Sequence, residues 1–570
     1  MYVQCSRVYQ KKSKTLSLNR KLVESYRDSE TKKPRNRTVK KLESLPILER
    51  ARLIYQYGGG KHLRANEWQE LNKAGDLTQA KVNLKVGDVY SGAGSAVANY
   101  NFRESGLLST LSNHLSKSTF KVVKELIVHQ LLNSSSKSHF IKSRKHEYLY
   151  ALEGKPSLST SALYRAMDEL ETQFAIIKEE VNRLQQRKDP ILLYDLSNSY
   201  FCGTKAELGG YGQSKEKRHD RYIVTYGLVT NQQGQPLDIK VWKGGTADAA
   251  TVVGQFTDWK TRYQAEKAIW IADRGMSGED NIAEVTSMGL DYITGVPGST
   301  QIALLKTQTE TAPELFDQHG LADFEHEGKR HILCKHDSKG YRREKQYAKN
   351  RKKAYQALLK VQSSPQNKNK EKLYHRAMKA LEKFNQTPFW NLEVKPLATK
   401  ELPTGQKGKK PQIRYQLVFS LKRNQVKLYN KIGHYYLLQT NLDKQEHPAQ
   451  QIQENYKGLH RIEKCFRELK SSLEIRPIRH WKENRIKAHI YLSYLSLWLL
   501  KYIENQWRDK KITSDVKTTL SGWNDSLKLC QLLDKDNHQV NLKWNRGENA
   551  RLTINEIEEY GEYRAIKLLL

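Results

Sequence analysis

The sequence predicts an α/β protein: a mixed sheet with helices, interrupted by a long insertion and preceded by a helical N-terminal domain. Three observations carry that expectation. Strand-type apolar runs alternate with helical patterns between residues 189 and 300. Two amphipathic helical patterns precede them, and a further long helical region returns only after residue 450.

Taken in chain order, residues 1–40 are basic and polar, with a Lys/Arg-rich cluster from Lys32 to Arg37. They read either as a solvated arm or as a DNA-contacting one. Ser118 or Thr119 caps a helix whose stripe is Phe120, Val123, Ile127 and Leu131. A second helix starts near Ser161 and carries Leu163, Met167, Leu170, Phe174, Ile177, Val181 and Leu184. Asp189-Pro190 breaks that pattern, and ILLYDLSNSYF follows as a buried strand. RYIVTYGLVTN (221–231) and LDIKVWKGG (237–245) complete a meander around the polar turn NQQGQP. A helix capped by Thr246, with Asp248 in its first turn, comes next. The strand KAIWIADRG, the helix SGEDNIAEVTSMG and the strand DYITGVPG then follow. The order β-β-β-α-β-α-β is that of an RNase H-like core, which needs a closing helix.

That helix is delayed. Residues 301–450 intervene, with the basic helical tract YRREKQYAKNRKKAYQALLKVQ and the strand-like RYQLVFSLKR. The tract reads most simply as a solvated helix face. Residues 456–507 are helical with a break at Arg476-Pro477, and Ile490–Leu500 within them reads as a buried core helix. The expected organisation is therefore a basic N-terminal region over 1–100, with possible DNA contact, and a helical domain over 101–188. The first part of the catalytic core spans 189–300 and an insertion domain 301–450. Closing helices with Glu463 span 451–507, and a C-terminal region 508–570.

Composition narrows the function. Lys and Arg number 97 against 62 Asp and Glu, a formal net charge of +35, which favours a polyanion partner. RNA, an anionic membrane surface and simple solubility stay open on charge alone. Five scattered cysteines without a CxxC pair argue against a zinc site or a disulfide framework and fit a reducing cytoplasm. The N-terminus shows no secretory signal, and the longest apolar stretch is too short for a bilayer.

Two acidic residues stand where burial is costly: Asp195 inside an apolar strand, and Asp273 directly after IWIA. On strands one and four of the inferred core they meet at one end of the sheet. A third carboxylate from the closing helix completes an oxygen-rich site for Mg²⁺ or Mn²⁺. Two such ions about 4 Å apart clamp the attacking and leaving oxygens of an in-line phosphoryl displacement. Taken singly, each aspartate reads equally as a strand-end turn or a helix cap.

The segment ENYKGLHRIEKCFRELKSSLEIRPIRHW resembles the Tyr-x2-Arg-x3-Glu-x6-Lys signature of bacterial insertion-sequence DDE transposases, with Tyr456, Glu463 and Lys470 on its spacing. GQSKEKRHDRYIVTYGLV, KGGTADAAT and WIADRG are similar to the same family. The resemblance covers roughly residues 100–500. It implies an RNase H-like core with an insertion before the glutamate, two Mg²⁺ ions, and a homodimer assembled on double-stranded DNA. The DNA would be the element's terminal inverted repeats and the target. By the same analogy Asp195 bridges both metals while Asp273 and Glu463 each bind one. A bacterial or archaeal cytoplasm, with nucleoid association and no membrane, is implied. Leu459 occupies the signature arginine position, next to His460 and Arg461, so phosphate binding there falls to another residue.

Apart from any family, Tyr456, Glu463 and Lys470 are seven apart and share a helix face with Arg467. That stripe reads as a DNA-facing site or as a salt-bridged solvated face. Glu468, about 140° round the helix from Glu463, is expected to pair with solvent-facing lysines. Lys215, Arg218 and Arg221 either hold DNA phosphates or serve solubility. Trp390 either packs in a core or stacks on a flipped base. The function expected is a DNA transposase cleaving and joining element ends. The alternatives are a catalytically inactive, domesticated transposase that only binds DNA, and another RNase H-like nuclease.

Overall fold

The computed structural model describes residues 1–10, 15–28, 33–58, 62–74, 85–153, 158–184, 191–257, 267–316, 320–336, 339–364, 369–397, 414–533, 539–545 and 548–567. The Asp189-Pro190 break lies outside them. The chain forms two compact units, one of residues 1–186, 198–224 and 465–570, the other of residues 187–197 and 225–464.

The second unit is built on an eight-stranded mixed sheet. Its strands are Ile191–Tyr200 (β1), Ile223–Thr230 (β2), Pro236–Trp242 (β3), Ile269–Ala272 (β4), Asp291–Gly295 (β5), Leu321–His326 (β6), Lys329–Lys335 (β7) and Tyr435–Thr440 (β8). They lie in the order β3-β2-β1-β4-β5-β8-β7-β6. β4 runs parallel to both β1 and β5, and β2 pairs antiparallel with β3. From β5 onward the pairs β5–β8, β8–β7 and β7–β6 are antiparallel.

The expected β-β-β-α-β-α-β order is present, with helices Asp248–Phe256 and Glu279–Ser287 in the two helical places. One local detail differs. Ala247 occupies the cap of the first helix, and the Thr246 hydroxyl donates instead to the Lys243 carbonyl at 2.7 Å. The turn before the helix satisfies that hydroxyl first.

Side-chain alternation along β1 and β4 splits the core in two, as a pleated strand requires. Leu192, Tyr194 and Leu196 pack with Trp270, Ala272, Val252, Phe256 and Val285 under the two helices. Ile191 and Leu193 pack on the opposite face with Ile269, Ile271, Ile293 and Leu438. Ile452, from the helix Ala449–Lys457, covers that second face.

Residues 301–450 do not stand wholly apart from the sheet, because β6, β7 and β8 all come from them. Between β7 and β8, the helices Lys339–Gln362 and Lys370–Glu382 pack on a two-stranded ribbon, Trp390–Pro396 with Tyr415–Leu421. Ala354, Leu358, Leu373, Leu381, Phe389 and Leu417 form the centre of this subsidiary core. Trp390 is buried in it, within 5.8 Å of the Phe419 ring, so the packing role is the one the fold gives it.

In the first unit the helices Lys117–Asn133, Thr160–Leu184 and Glu483–Asp509 pack on one another. The expected stripe from Leu163 to Val181 is buried, and Phe174 stacks on Tyr491 with ring centroids 3.7 Å apart. Ser116, two residues before the nearer expected cap, caps the first of these helices by accepting from the Thr119 backbone N–H. Ile490–Leu500 lies within the third helix and is buried for most of its length. The C-terminal region, uninformative in sequence, supplies Leu529–Leu533 and Gln539–Trp544 to a three-stranded sheet with Lys85–Tyr90.

The described parts of the first forty residues are not an arm, and Lys32 of the basic cluster lies outside them. Tyr2–Gln10, Thr15–Arg27 and Pro34–Lys41 form an antiparallel meander. Val3 and Leu22 point inward onto Leu42 and Ile54. Arg20 is wholly buried there, donating to both carboxylate oxygens of the equally buried Glu67 at 2.7 Å and to Glu43 at 2.7 Å.

Candidate active site

Strand register brings the two aspartates together. Tyr194 of β1 is the parallel partner of Ala272 at the end of β4, so Asp195 and Asp273 each stand one residue beyond a paired position. By alternation both continue the face of Ile191, Leu193, Ile269 and Ile271, which the helix Ala449–Lys457 covers. Asp195 is half-buried between buried neighbours, and Asp273 is exposed at the strand end. Each aspartate folds one oxygen back onto the next backbone N–H, from Leu196 and Arg274 respectively, at 2.7 Å.

The third carboxylate arrives on a broken helix. The segment Ala449–Lys457 ends at Gly458, and Leu459–Arg467 follows with Glu463 exposed. A Cβ at Gly458 would lie 2.8 Å from the Asn455 carbonyl and 3.7 Å from Leu193. The junction therefore needs glycine to settle on the sheet. Beyond Arg467 the helix widens into a π-helical turn, Glu468–Ser472, a feature frequent at functional sites.

Asp195, Asp273, Glu463 and Tyr456 line a single pocket of about 480 Å³ within the second unit. Tyr456 stands close to Asp273, and its hydroxyl pKa is pushed far up, first by burial and then by the Asp273 charge. The phenol reaches across β5 because residue 295 is glycine: a Cβ there would meet the Tyr456 hydroxyl at 2.7 Å. Among the described residues, no three acidic, histidine or cysteine side chains converge closely enough to coordinate a metal as they stand. The three carboxylates are hard oxygen donors of the kind that hold Mg²⁺ or Mn²⁺; His336 and His460 also line the pocket, and no thiol or thioether does.

The pocket also carries cations that sequence reasoning missed. Arg274, Lys335, Arg343 and Lys457 line it alongside the three carboxylates. Arg274 was visible in ADRG as the neighbour of Asp273. Lys335 and Arg343 come from the intervening segment, and no spacing rule connects them to it. Leu459, at the signature arginine position, packs against the covered sheet face and lines the pocket. The adjacent Arg461 donates to the Gln232 carbonyl in the turn between β2 and β3.

The remaining candidates lie in the first unit. Lys470 forms an ion pair with Glu216 at 3.3 Å, and Arg476 pairs with the same carboxylate. Burial pulls the Lys470 ammonium pKa down, and Glu216 opposes that. Arg218 donates to both oxygens of Asp220 at 2.9 and 3.0 Å and lies over the Tyr200 ring. The Lys215 backbone N–H donates to the Asn198 side chain at 3.1 Å. Arg467 is exposed. Tyr456 and Glu463 lie on successive helices joined at Gly458, which keeps right-handed helical dihedrals, and Lys470 lies in the π-helical turn Glu468–Ser472. Glu468 does not face solvent either: it pairs with the buried Lys501 at 2.7 Å, and Glu504 pairs with that lysine at 2.8 Å.

Residues 186–499, more than half of the chain, match the family described as "Transposase DDE domain". No curated protein matches the chain. Among solved structures, it is similar to a piggyBac transposase in a synaptic complex with hairpin DNA, determined by cryo-EM. That likeness has a TM-score of 0.34 and 8% identity over 76% of this chain and 77% of the other. The family match carries the assignment. Among the described residues no helix is long and apolar enough to cross a membrane.

Proposed function

Because the chain belongs to the transposase DDE domain family, we propose that it cuts and joins DNA at the ends of an insertion sequence. The chemistry would be hydrolysis of a phosphodiester followed by attack of the freed 3′-hydroxyl on target DNA. Members of this family use divalent metal ions; Mg²⁺, two per site, is the ion we assign here. Asp195 would bridge the pair, with Asp273 and Glu463 each holding one. The observation that supports this reading is the β1–β4 register, which sets Asp195 and Asp273 side by side on the wall that Glu463 also lines.

When bound, the ions supply Lewis acidity to the attacking and leaving oxygens. The chain's own residues supply position. Tyr456, kept neutral by burial and by the nearby Asp273 charge, would offer its phenol to the Asp273 carboxylate or to a DNA phosphate without cancelling charge. Arg274, Lys335, Arg343 and Lys457 offer cations to the phosphates flanking the scissile bond. They take the place of the missing signature arginine. Arg467, Lys470, Lys215 and Arg218 stay as DNA contacts in this reading, with Lys470 and Arg218 first having to exchange Glu216 and Asp220 for phosphate. An RNase H-like core and a dimer formed on paired inverted repeats complete the proposal.

The test is cleavage of labelled element ends in Mg²⁺ beside a gel-shift on the same DNA. Asp195→Ala, Asp273→Ala and Glu463→Ala are each expected to abolish cleavage while binding persists. Near-normal cleavage by any one of them removes that residue from the site.

A further inference from the structure

The helix Lys339–Gln362 carries the most one-sided charge distribution among the described helices of the second unit. Its sequence holds nine lysines and arginines and one acid, Glu344. That single carboxylate turns inward, 2.9 Å from the Asn430 amide and 3.7 Å from His434. Arg342, Lys345, Lys349, Lys352, Lys353 and Lys360 are all exposed. At 100° per residue these six fall within an arc of about 100°. The opposite face carries Ala354 and Leu358, buried in the subsidiary core. No carboxylate is paired with any of the six among the described residues.

Solubility does not require this pattern. A solvated helix face ordinarily mixes signs, because glutamates at i,i+4 stabilise lysines. An unrelieved row of cations repels itself and costs stability, so its retention fits a polyanion that neutralises it. The same helix also reaches the pocket: Arg343, near its start and about 130° round from the centre of the row, lines the wall that holds Asp195, Asp273 and Glu463. From Arg342 to Lys360 the row extends about 27 Å at 1.5 Å per residue. B-form DNA carries one strand phosphate per about 3.4 Å, so this length spans about eight base pairs.

We infer that the outward face of Lys339–Gln362 is a sequence-independent rail for the backbone of duplex DNA leading to or from the pocket. The inference rests on the pocket being the DNA-cutting site. The rail contacts phosphates alone, since lysines on a convex helix face reach backbone oxygens without reading base edges.

The experiment is a salt titration of duplex binding by the full chain, with two unrelated duplex sequences. The variant combines Lys345→Glu, Lys349→Glu, Lys352→Glu and Lys353→Glu. A charge-matched control carries Lys117→Glu, Lys528→Glu, Lys543→Glu and Lys567→Glu, all exposed. Each lost phosphate contact lowers the slope of log affinity against log salt by about 0.9, so the rail variant should lose about 3 to 4 from its slope. It should bind both sequences at least about tenfold more weakly at low salt. The control should keep a slope close to that of the unaltered chain. Lys349→Glu alone, with an expected drop of about 0.9, keeps the test decisive where the fourfold variant does not fold.

A rail variant with unaltered affinity and slope, or a control that falls equally, overturns the inference. So does a preference for single-stranded RNA over duplex that vanishes with the same four lysines. If the unaltered chain binds duplex steeply but does not cut it in Mg²⁺, the cutting function fails while the rail stands. If it cuts and the rail variant binds normally, the reverse holds.

Discussion

Two groups of carboxylates in this protein are built in opposite ways. Around Arg20, every donor with a short contact to Glu67 is charged or belongs to the backbone: Arg20 at 2.7 Å, Arg50 at 2.6 Å and the Arg64 N–H at 2.8 Å. In the pocket, Asp195 and Asp273 accept from the Leu196 and Arg274 backbone N–H groups, and the neutral Tyr456 phenol lines the same wall. Guanidinium contacts neutralise the first group and tie three chain segments together. In the second, a neutral backbone N–H orients one oxygen of each aspartate. A carboxylate's function is therefore legible in the charge of its donors as much as in its burial.

The comparison is open to attack at its strong end first. Glu67→Gln leaves Arg20 buried without its main counter-charge, and about 3–5 kcal/mol of stability should be lost in chemical denaturation. Asp273→Asn should leave the unfolding midpoint unchanged or raise it, because nothing folded depends on that charge. If the two substitutions behave alike, the distinction between the groups fails. The pH dependence has a defined sign. Burial by itself would raise the Glu67 pKa, but the arginine and backbone hydrogen bonds outweigh it and the net shift is downward. A depressed folded-state value means the stabilisation is present above the unfolded glutamate pKa and fades as pH falls through the folded one. Glu67→Gln should thus flatten the acid limb of the stability profile.

A smaller effect is expected at Glu468, which the sequence placed among solvent-facing lysines. Its partner Lys501 is almost fully buried and is shared with Glu504. Burial lowers the Lys501 pKa, and Cys465 together with Glu468 and Glu504 more than reverses that. Glu468→Gln should cost about 1–3 kcal/mol, with the remaining glutamate limiting the loss. A silent substitution would show that Glu504 alone satisfies the lysine.

The smallest expected change in stability, with a visible change in activity, is at Gly295. A methyl group there meets the Tyr456 hydroxyl at 2.7 Å, so Gly295→Ala must displace the phenol. We expect about 1 kcal/mol of destabilisation or somewhat more, and slower cleavage with DNA affinity retained. Tyr456→Phe in the same assay separates loss of the hydroxyl from displacement of the ring. Full activity in both would take Tyr456 out of the positioning role.

Much of this was written in the local sequence. The β-β-β-α-β-α-β order followed from apolar runs of strand length bounded by turn residues, and the stripe from Leu163 to Val181 from helical periodicity. Asp195 and Asp273 stood out because an acid in an apolar strand needs a reason, and Glu463 because of the motif around it. Local pattern could not decide what depends on partners distant in the chain. The meander of Tyr2–Gln10, Thr15–Arg27 and Pro34–Lys41 was hidden by its many lysines and arginines, which read as a charged arm until Val3 and Leu22 meet Ile54. The cationic wall of the pocket draws on Lys335 and Arg343, which reach it only because β7 and β8 join the same sheet as β1. Lys470 and Glu468 acquired buried partners in Glu216 and Lys501 through packing no helical wheel contains. The physical reason is common to these cases: periodicity fixes which face a residue occupies, whereas the charge that answers it is set by which segment the fold brings opposite.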